Sequence, residues 1–146
     1  MRGAAIILTL VAVVAGAWFL MQSSNHEDER APATSPILPD GAIVAVIVPG
    51  VFSDQQPLGA RAYDAACAAC HGANGQGQDG VGPPLVHKIY EPSHHGDMAF
   101  LLAAQNGVRA HHWKFGNMPA VEGVTKADVL NIVAYIRALQ RANGIN

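Results

Sequence analysis

The stretch Cys67-Ala68-Ala69-Cys70-His71 decides how this chain of 146 residues is interpreted. Cysteines three residues apart point to the same side of a helical turn, and a histidine directly follows the second one. Two thiols placed in this way can form thioethers with the two vinyl groups on one edge of a haem, while the imidazole swings under the ring to bind iron. We therefore predict that Cys67 and Cys70 attach one c-type haem covalently and that His71 is an iron ligand.

Other uses of two cysteines have to be weighed against haem attachment. A thioredoxin-like redox pair is expected among alternating strands and helices, whereas helical patterns surround this motif. A structural zinc site would need a second pair of ligands at suitable spacing. The chain has no further cysteines, so a framework of several disulfides is excluded. The redox pair, the zinc site and two incidental cysteines remain the alternatives.

The predicted iron ligand needs a partner for its second ring nitrogen. A metal-bound histidine normally donates its other N–H to an acceptor, which fixes the tautomer. The backbone carbonyl of Pro83, in the turn Gly82-Pro83-Pro84-Leu85, is the predicted acceptor. Five glycines between positions 72 and 82 would let the backbone wrap tightly beside the haem ring.

The sequence from Ser53 onward predicts helices joined by loops. Ser53 or Asp54 can cap a first helix that carries Pro57 in its first turn, where the missing N–H of proline is tolerated. This helix is expected to continue to about Ala69, so that the cysteine motif stands at its end.

Two further helices complete the prediction. Asp97 can cap a helix that ends at Asn106-Gly107, because glycine favours helix C-termini. Residues 125–128 (Thr-Lys-Ala-Asp) resemble a capping box with aspartate in place of glutamate. Apolar residues follow at helical spacing, at positions 129, 132, 133, 136 and 139. The predicted fold class is therefore all-α.

With these features, the chain from about Pro57 to Asn143 resembles the class I cytochromes c. The resemblance implies helices wrapped around one covalent haem, with a methionine from the loop before the last helix as the second iron ligand. Met118, in Gly116-Asn117-Met118-Pro119, matches that position. Gly59 and Tyr63 match the face of the first helix that crosses residues 132–136 of the last. The resemblance thus implies haem c and its iron as cofactor, with its binding residues Cys67, Cys70, His71, Pro83 and Met118.

Several histidines compete with Met118 for the role of second ligand. They lie between the motif and Met118, and they are His87, His94, His95, His111 and His112. A lone methionine commonly fills a core, but a methionine in a loop directly before the last helix favours the ligand role. We predict that the histidines are exposed or bind a haem propionate. His111, His112 and Trp113 are expected along the haem edge, and Arg109 or Trp113 could reach a propionate.

Residues 1–21 predict a membrane anchor or a signal segment. After Arg2, residues 3–21 carry no charge, and these 19 residues at about 1.5 Å each just span a hydrocarbon core of roughly 30 Å. Ala15-Gly16-Ala17 could instead be a signal cleavage site. Positive charge stays inside, so the rest of the chain faces outward. The haem domain is expected in the periplasm, either anchored to the cytoplasmic membrane or soluble after cleavage.

Residues 22–52 predict a polar tether followed by an apolar extended segment. Ile43 to Val48 is rich in β-branched residues, which favours a strand or extended structure. This segment could pack on the domain or dock on a membrane partner. The cytochrome c domain is then expected over residues 53–146.

The expected function is one-electron transfer between redox proteins of respiratory or photosynthetic complexes. Histidine and methionine together raise the iron potential and fill both axial positions, so no small-molecule substrate and no enzyme activity are expected. The net charge of −2 argues against a nucleic-acid binder, which needs clustered Lys and Arg. The alternatives are a haem subunit of a membrane oxidoreductase complex, and a ligand sensor if Met118 leaves the iron.

Overall fold

The computed structural model describes residues 38–146. The predicted anchor (1–21) and most of the predicted tether (22–37) lie outside the described residues. Apart from isolated bridges, residues 38–146 contain no β-strand, and none of their helices is both long and apolar enough to cross a membrane. The helices are α1 (Gln56–Ala66), α2 (Ala68–His71), α3 (Asp97–Asn106) and α4 (Lys126–Ala142), and the 3-10 turns are Ala73–Gly75 and Lys88–Tyr90. This part of the chain is helical, as predicted.

Helices α1 and α4 cross in close contact at Gly59. This residue is buried, and a Cβ atom added to it would overlap the carbonyl oxygen of Asn131 and crowd Tyr135. One turn along α1, Tyr63 is fully buried, and its ring centroid lies 5.6 Å from that of Tyr135. The two backbones can approach this closely because position 59 has no side chain. The core behind the crossing consists of Tyr63, Leu85, Val86, Ile132, Tyr135, Ile136 and Leu139.

Gly59→Ala is expected to lower the free energy of unfolding by about 2 kcal/mol. The added methyl must displace a backbone carbonyl oxygen that it would overlap, which places its cost at the upper end of the about 1–3 kcal/mol typical of overpacking. The better helix propensity of alanine offsets roughly 1 kcal/mol. Denaturant unfolding of the haem-loaded protein measures the difference. Gly50→Ala is the control, because its Cβ would meet nothing within 4 Å, and its effect should stay below about 0.5 kcal/mol. Equal losses in both variants would contradict the close crossing.

Two predicted N-caps are displaced by one residue. Asp54 adopts a left-handed conformation with a φ of 54°, and Gln55 occupies the N-cap of α1, so neither Ser53 nor Asp54 caps that helix. Gly96 occupies the N-cap of α3, and Asp97 is its first helical residue. The carboxylate of Asp97 still lies in the first turn, where the helix dipole favours negative charge.

The predicted continuous helix up to Ala69 is wrong. Helix α1 ends at Ala66, and Cys67 (φ −122°, ψ −33°) separates it from the short helix α2. Cys67 therefore stands at the break between the helices, whereas Cys70 lies within α2. The sequence gives no sign of this break, because the residue types on both sides of Cys67 do not distinguish one continuous helix from two.

Helix α4 begins with the predicted capping box. The Thr125 hydroxyl oxygen accepts a hydrogen bond from the Asp128 N–H (3.2 Å), and the Asp128 carboxylate accepts one from the Thr125 N–H (2.9 Å). The hydrogen bonds from Thr125 hold the pKa of Asp128 below its usual value. The helix then buries one face between Val129 and Gln140.

Residues 43–48 form no strand; they lie along the domain without regular secondary structure, and the chain bends at residues 43 and 44. The N–H groups of residues 43 and 44 donate to the carbonyl of Gln76 (3.2 and 3.0 Å). The side-chain amide of Asn143 accepts a hydrogen bond from the Ile47 N–H (2.8 Å) and donates one to the Ile47 carbonyl (2.9 Å). Val46 packs against the core. Of the two alternatives for this segment, packing on the domain is the one observed.

A buried arginine connects α4 to the loop before α3, which the sequence analysis did not anticipate. Arg137 is only 7% exposed. Its guanidinium donates to Asp97 (2.8 Å), to the carbonyl of Tyr90 (2.7 Å) and to the carbonyl of His95. The buried Gln140 amide also donates to the Tyr90 carbonyl, at 3.0 Å. These hydrogen bonds hold the loop that carries His95 against α4.

Candidate haem site

A cavity of about 720 Å³ is lined by all four helices and by the loop 107–121. Its volume lies within the range of roughly 300–1,000 Å³ that is usual for cofactor pockets. Most of the lining side chains are apolar, among them Leu85, Phe100, Val108, Ile132 and Val133. All of the predicted cofactor-binding residues contribute to its wall, namely Cys67, Cys70, His71, Pro83 and Met118.

The two cysteines stand at the break between α1 and α2. Cys67 is half-buried and Cys70 is exposed, and both are free thiols. The N–H groups of Cys70 and His71 donate to the Cys67 carbonyl (3.2 and 3.0 Å), so the turn is kept despite the break. Burial, together with the nearby Cys70, raises the pKa of Cys67 to about 11.

One ring nitrogen of His71 is available to bind a metal ion, and the other forms a hydrogen bond that orients the ring. Its Nδ1 lies 2.8 Å from the carbonyl oxygen of Pro83, the acceptor expected from the sequence. Because a carbonyl only accepts, Nδ1 carries the proton and Nε2 keeps its lone pair. Burial lowers the pKa of His71 and outweighs the opposing effect of the hydrogen bond to Pro83. The imidazole is therefore held neutral in the tautomer that a metal ion requires.

The backbone between residues 72 and 84 brings the Pro83 carbonyl to His71. Gly82 lies directly against α2, since a Cβ atom there would overlap the Cys70 carbonyl oxygen. The buried Tyr63 hydroxyl donates to the Gly72 carbonyl at 2.7 Å. Burial raises the pKa of Tyr63 well above its usual value, so the hydroxyl stays protonated as a donor. The sequence analysis treated Tyr63 as a packing residue, and this hydrogen bond adds a positioning role.

Met118 reaches the cavity from a loop that is held by its own backbone. The Met118 N–H donates to the Val108 carbonyl (2.9 Å), and the Val108 N–H donates to the Met118 carbonyl (2.8 Å). The neighbouring Asn117 side chain accepts a hydrogen bond from the Ala110 N–H at 3.0 Å. These hydrogen bonds close the loop 108–118 at its base and fix the backbone position from which the Met118 side chain reaches the cavity.

Trp113 brings a buried polar atom to the wall of the cavity. Its indole Nε1 is buried, and no described residue accepts a well-aligned hydrogen bond from it. The Tyr90 side chain lies nearby: burial raises the pKa of Tyr90, and the interaction with Trp113 lowers it in part. Buried donors without an acceptor are uncommon in proteins. This donor fits an acceptor on a bound group, such as a haem propionate. Arg109 is exposed.

The histidines of the competing set gather beside the cavity. His95, His111 and His112 line it, together with Trp113. His94 stacks on His95 with ring centroids 4.6 Å apart. Desolvation lowers the pKa of His112, and the neighbouring histidines lower it further.

The residues of the cavity fit a covalently attached haem. The wall is apolar and carries two thiols, a neutral imidazole with one lone pair available, a thioether and the buried indole N–H of Trp113. A helical domain built around such a site defines the class of c-type haem proteins that transfer electrons.

Comparison with known families agrees with this class. The family model for cytochrome c matches residues 57–140, which is more than half of the chain, and the chain therefore belongs to the cytochrome c family. Its cofactor is a covalently bound c-type haem with iron, its general function is haem-based electron transfer, and its partners are redox proteins. A search among curated proteins found no match.

Proposed function

We propose that the protein is a one-electron carrier in which His71 and Met118 are the axial ligands and Cys67 and Cys70 form the thioethers. Bound haem supplies an iron that gains and loses one electron. The observation that carries the proposal is that both ligand residues line one cavity and are held by backbone hydrogen bonds. His71 is held through its ring Nδ1, and Met118 through the main chain that pairs with Val108.

The proposed ligation determines what chemistry is left to the protein. Side chains at both axial positions leave no open position for a substrate, so we propose a carrier and not an enzyme. Mixed histidine and methionine ligation raises the potential relative to two nitrogen ligands. Because the loop 108–118 is closed at its base, Met118 is expected to stay bound in both oxidation states, which argues against a ligand sensor.

The surface around the cavity suggests how partners would dock. From Asp54 onward the chain has seven basic and seven acidic residues, so strong long-range steering is not expected. Cys70 and Leu102 both line the cavity and are exposed, Leu102 by 52%. We propose a small, partly apolar docking patch around the exposed haem edge, used by complexes of a respiratory or photosynthetic chain.

We propose further that residues 1–21 anchor the protein in the cytoplasmic membrane, with the haem domain in the periplasm. Support comes from the uncharged run that follows Arg2. A tether would raise the effective concentration of the domain near its partners. Cleavage after residues 15–17 would instead produce a soluble periplasmic carrier.

A second candidate function is a haem subunit that is docked permanently in a membrane oxidoreductase complex. The specific observation in its favour is a group of apolar side chains exposed on the segment before α1. Ile47 is 64% exposed and Val51 is 84% exposed, although the segment around them packs on the domain. Purification as a stoichiometric complex would favour this candidate over the mobile carrier.

An optical redox titration of separated membrane and soluble fractions tests the carrier proposal. We expect a single haem component that follows a one-electron Nernst curve, with about 59 mV for each tenfold change in the redox ratio. The reduced protein should not bind carbon monoxide, because Met118 occupies the sixth position. Tight carbon monoxide binding would contradict the proposal and favour the sensor. The fraction that holds the haem decides between the anchored and the soluble form.

A further inference from the structure

Two loops bring four histidines together at the edge of the cavity. His94 and His95 come from the loop before α3, and His111 and His112 come from the loop 107–121. One ring nitrogen from each of His94, His95 and His112 lies within 4.8 Å of the other two. His94 and His112 are exposed and His95 is half-buried, so an ion can reach all three from solvent. The His111 ring is next to the group, and its centroid lies 4.3 Å from that of the His112 ring.

The half-buried member of the group already has the arrangement of a metal-binding histidine. The Nδ1 of His95 lies 2.7 Å from the Ile89 carbonyl oxygen. Because a carbonyl oxygen only accepts, His95 donates this hydrogen bond from its protonated Nδ1. Its Nε2 is therefore the nitrogen with the available lone pair. Metal-bound histidines characteristically donate their second N–H to a carbonyl or a carboxylate in this way.

Both loops are held in place by contacts that do not involve the imidazoles. The N–H groups of His94 and His95 donate to the Glu91 carbonyl (3.0 and 2.8 Å), and the buried Arg137 donates to the His95 carbonyl. The second loop is closed by the Ala110–Asn117 hydrogen bond. The backbone positions of the histidines are therefore set before any ligand binds, which lowers the entropy cost of assembling a site.

We infer that His94, His95 and His112 form a binding site for a borderline divalent cation such as Zn²⁺ or Cu²⁺, separate from the haem iron. Imidazole nitrogens suit these ions, whereas Mg²⁺ and Ca²⁺ prefer oxygen ligands. Three histidines leave one position open, which a water, His111 or a partner side chain can fill. Zn–N bonds of about 2.0–2.1 Å place the nitrogens of a tetrahedral site about 3.3 Å apart. Because the His94 and His95 rings are stacked in nearly parallel planes, the exposed His94 and His112 side chains must rotate to bring their nitrogens to this spacing.

The position of this site suggests what the ion does. His95 and His112 line the same cavity as His71 and Met118, so a divalent ion there adds positive charge at the wall of the haem pocket. Positive charge favours the less positively charged, reduced form of a nearby redox centre. We expect the bound ion to raise the reduction potential and to alter the charge of the docking face.

Equilibrium dialysis of the haem-loaded full chain against ZnCl₂ at pH 7.5 tests the site. The wild type should bind one Zn²⁺ per chain, and H94Q and H112Q should each bind it at least about 10-fold more weakly. Loss of an outer-shell partner alone costs on the order of 10–100-fold, so loss of a direct ligand should cost no less. H26Q is the matched control, since it removes a histidine from the predicted tether. An unchanged haem spectrum in each variant shows that the haem domain is intact.

Three outcomes would overturn the site: no saturable binding of one ion by the wild type, wild-type affinity in H94Q and H112Q, or an equal loss of affinity in H26Q. The predicted effect on the haem is tested separately by redox titration with and without Zn²⁺. A rise in potential in the wild type and in H26Q, but not in H112Q, supports it. Stoichiometric binding without any change in potential would overturn the effect on the haem and leave the metal site standing. Both results are interpreted with H94Q and H112Q variants that keep the wild-type haem spectrum, because that spectrum shows that neither His94 nor His112 is the sixth iron ligand.

Discussion

Replacing both Cys67 and Cys70 by serine is expected to abolish covalent haem attachment completely. A serine hydroxyl is close in size to a thiol but does not form the thioether. Haem should therefore separate from the chain when the variant is denatured in acidified organic solvent, whereas the wild type keeps it. A haem stain after denaturing electrophoresis measures the difference directly.

The same change is expected to unfold much of the domain. Without its cofactor the chain would have to maintain a cavity of about 720 Å³. The apolar side chains of its wall would then lose the contacts that the cofactor makes with them. The helical far-ultraviolet circular dichroism should therefore fall clearly.

Ala69→Ser is the matched control for the cysteine variants. Ala69 lies between the two cysteines and is exposed, so the variant adds a hydroxyl to the same helical turn and leaves both thiols in place. It should keep covalent haem and normal helicity. Haem that remained on the denatured double variant would refute attachment through Cys67 and Cys70.

Met118→Ala is expected to have the second large effect, on the electronic properties of the iron. Loss of the thioether should remove the weak far-red band of methionine-ligated ferric haem and open a position for carbon monoxide. The potential should fall by a substantial part of the roughly 0.8 V range that axial ligands span, because methionine ligation raises it. Absorption spectra and a redox titration of the purified variant measure both changes.

Met98→Ala is the control for this substitution. Met98 lies in the first turn of α3 and is 56% exposed, so its loss should leave both the spectrum and the potential unchanged. An unchanged far-red band in Met118→Ala would show that another residue is the sixth ligand. His95, His111 and His112 would then be examined first, because they line the same cavity.

Local features of this domain were predictable because the groups involved are a few residues apart. The capping box joins Thr125 to Asp128, and the buried face of α4 repeats at helical spacing. The approximate extent of α3 also follows from local signals, although its cap is Gly96. The helix break at Cys67 was missed, since nothing in the residue types on either side distinguishes one continuous helix from two.

The buried charge of α4 shows why some interactions could not be predicted. Arg137 and Gln140 occupy positions on the buried face of the helix, where the pattern is otherwise apolar. That polar interruption was the available signal, but a polar residue at a helix edge is usually solvated. Its acceptors, the carbonyls of Tyr90 and His95, lie more than 40 residues away along the chain. Only the packing of the loop against α4 brings them together.

By itself the sequence determined the haem attachment motif, the helical class and the resemblance in which Met118 is the second ligand. These conclusions rest on spacing within single turns and on short motifs that keep their meaning in any context. The tertiary structure decided which side chains share a cavity, which polar groups are buried, and that His94 and His95 meet His112. The physical reason is that such contacts join residues far apart in the chain. They form only when the helices pack and the loops between them are held in place.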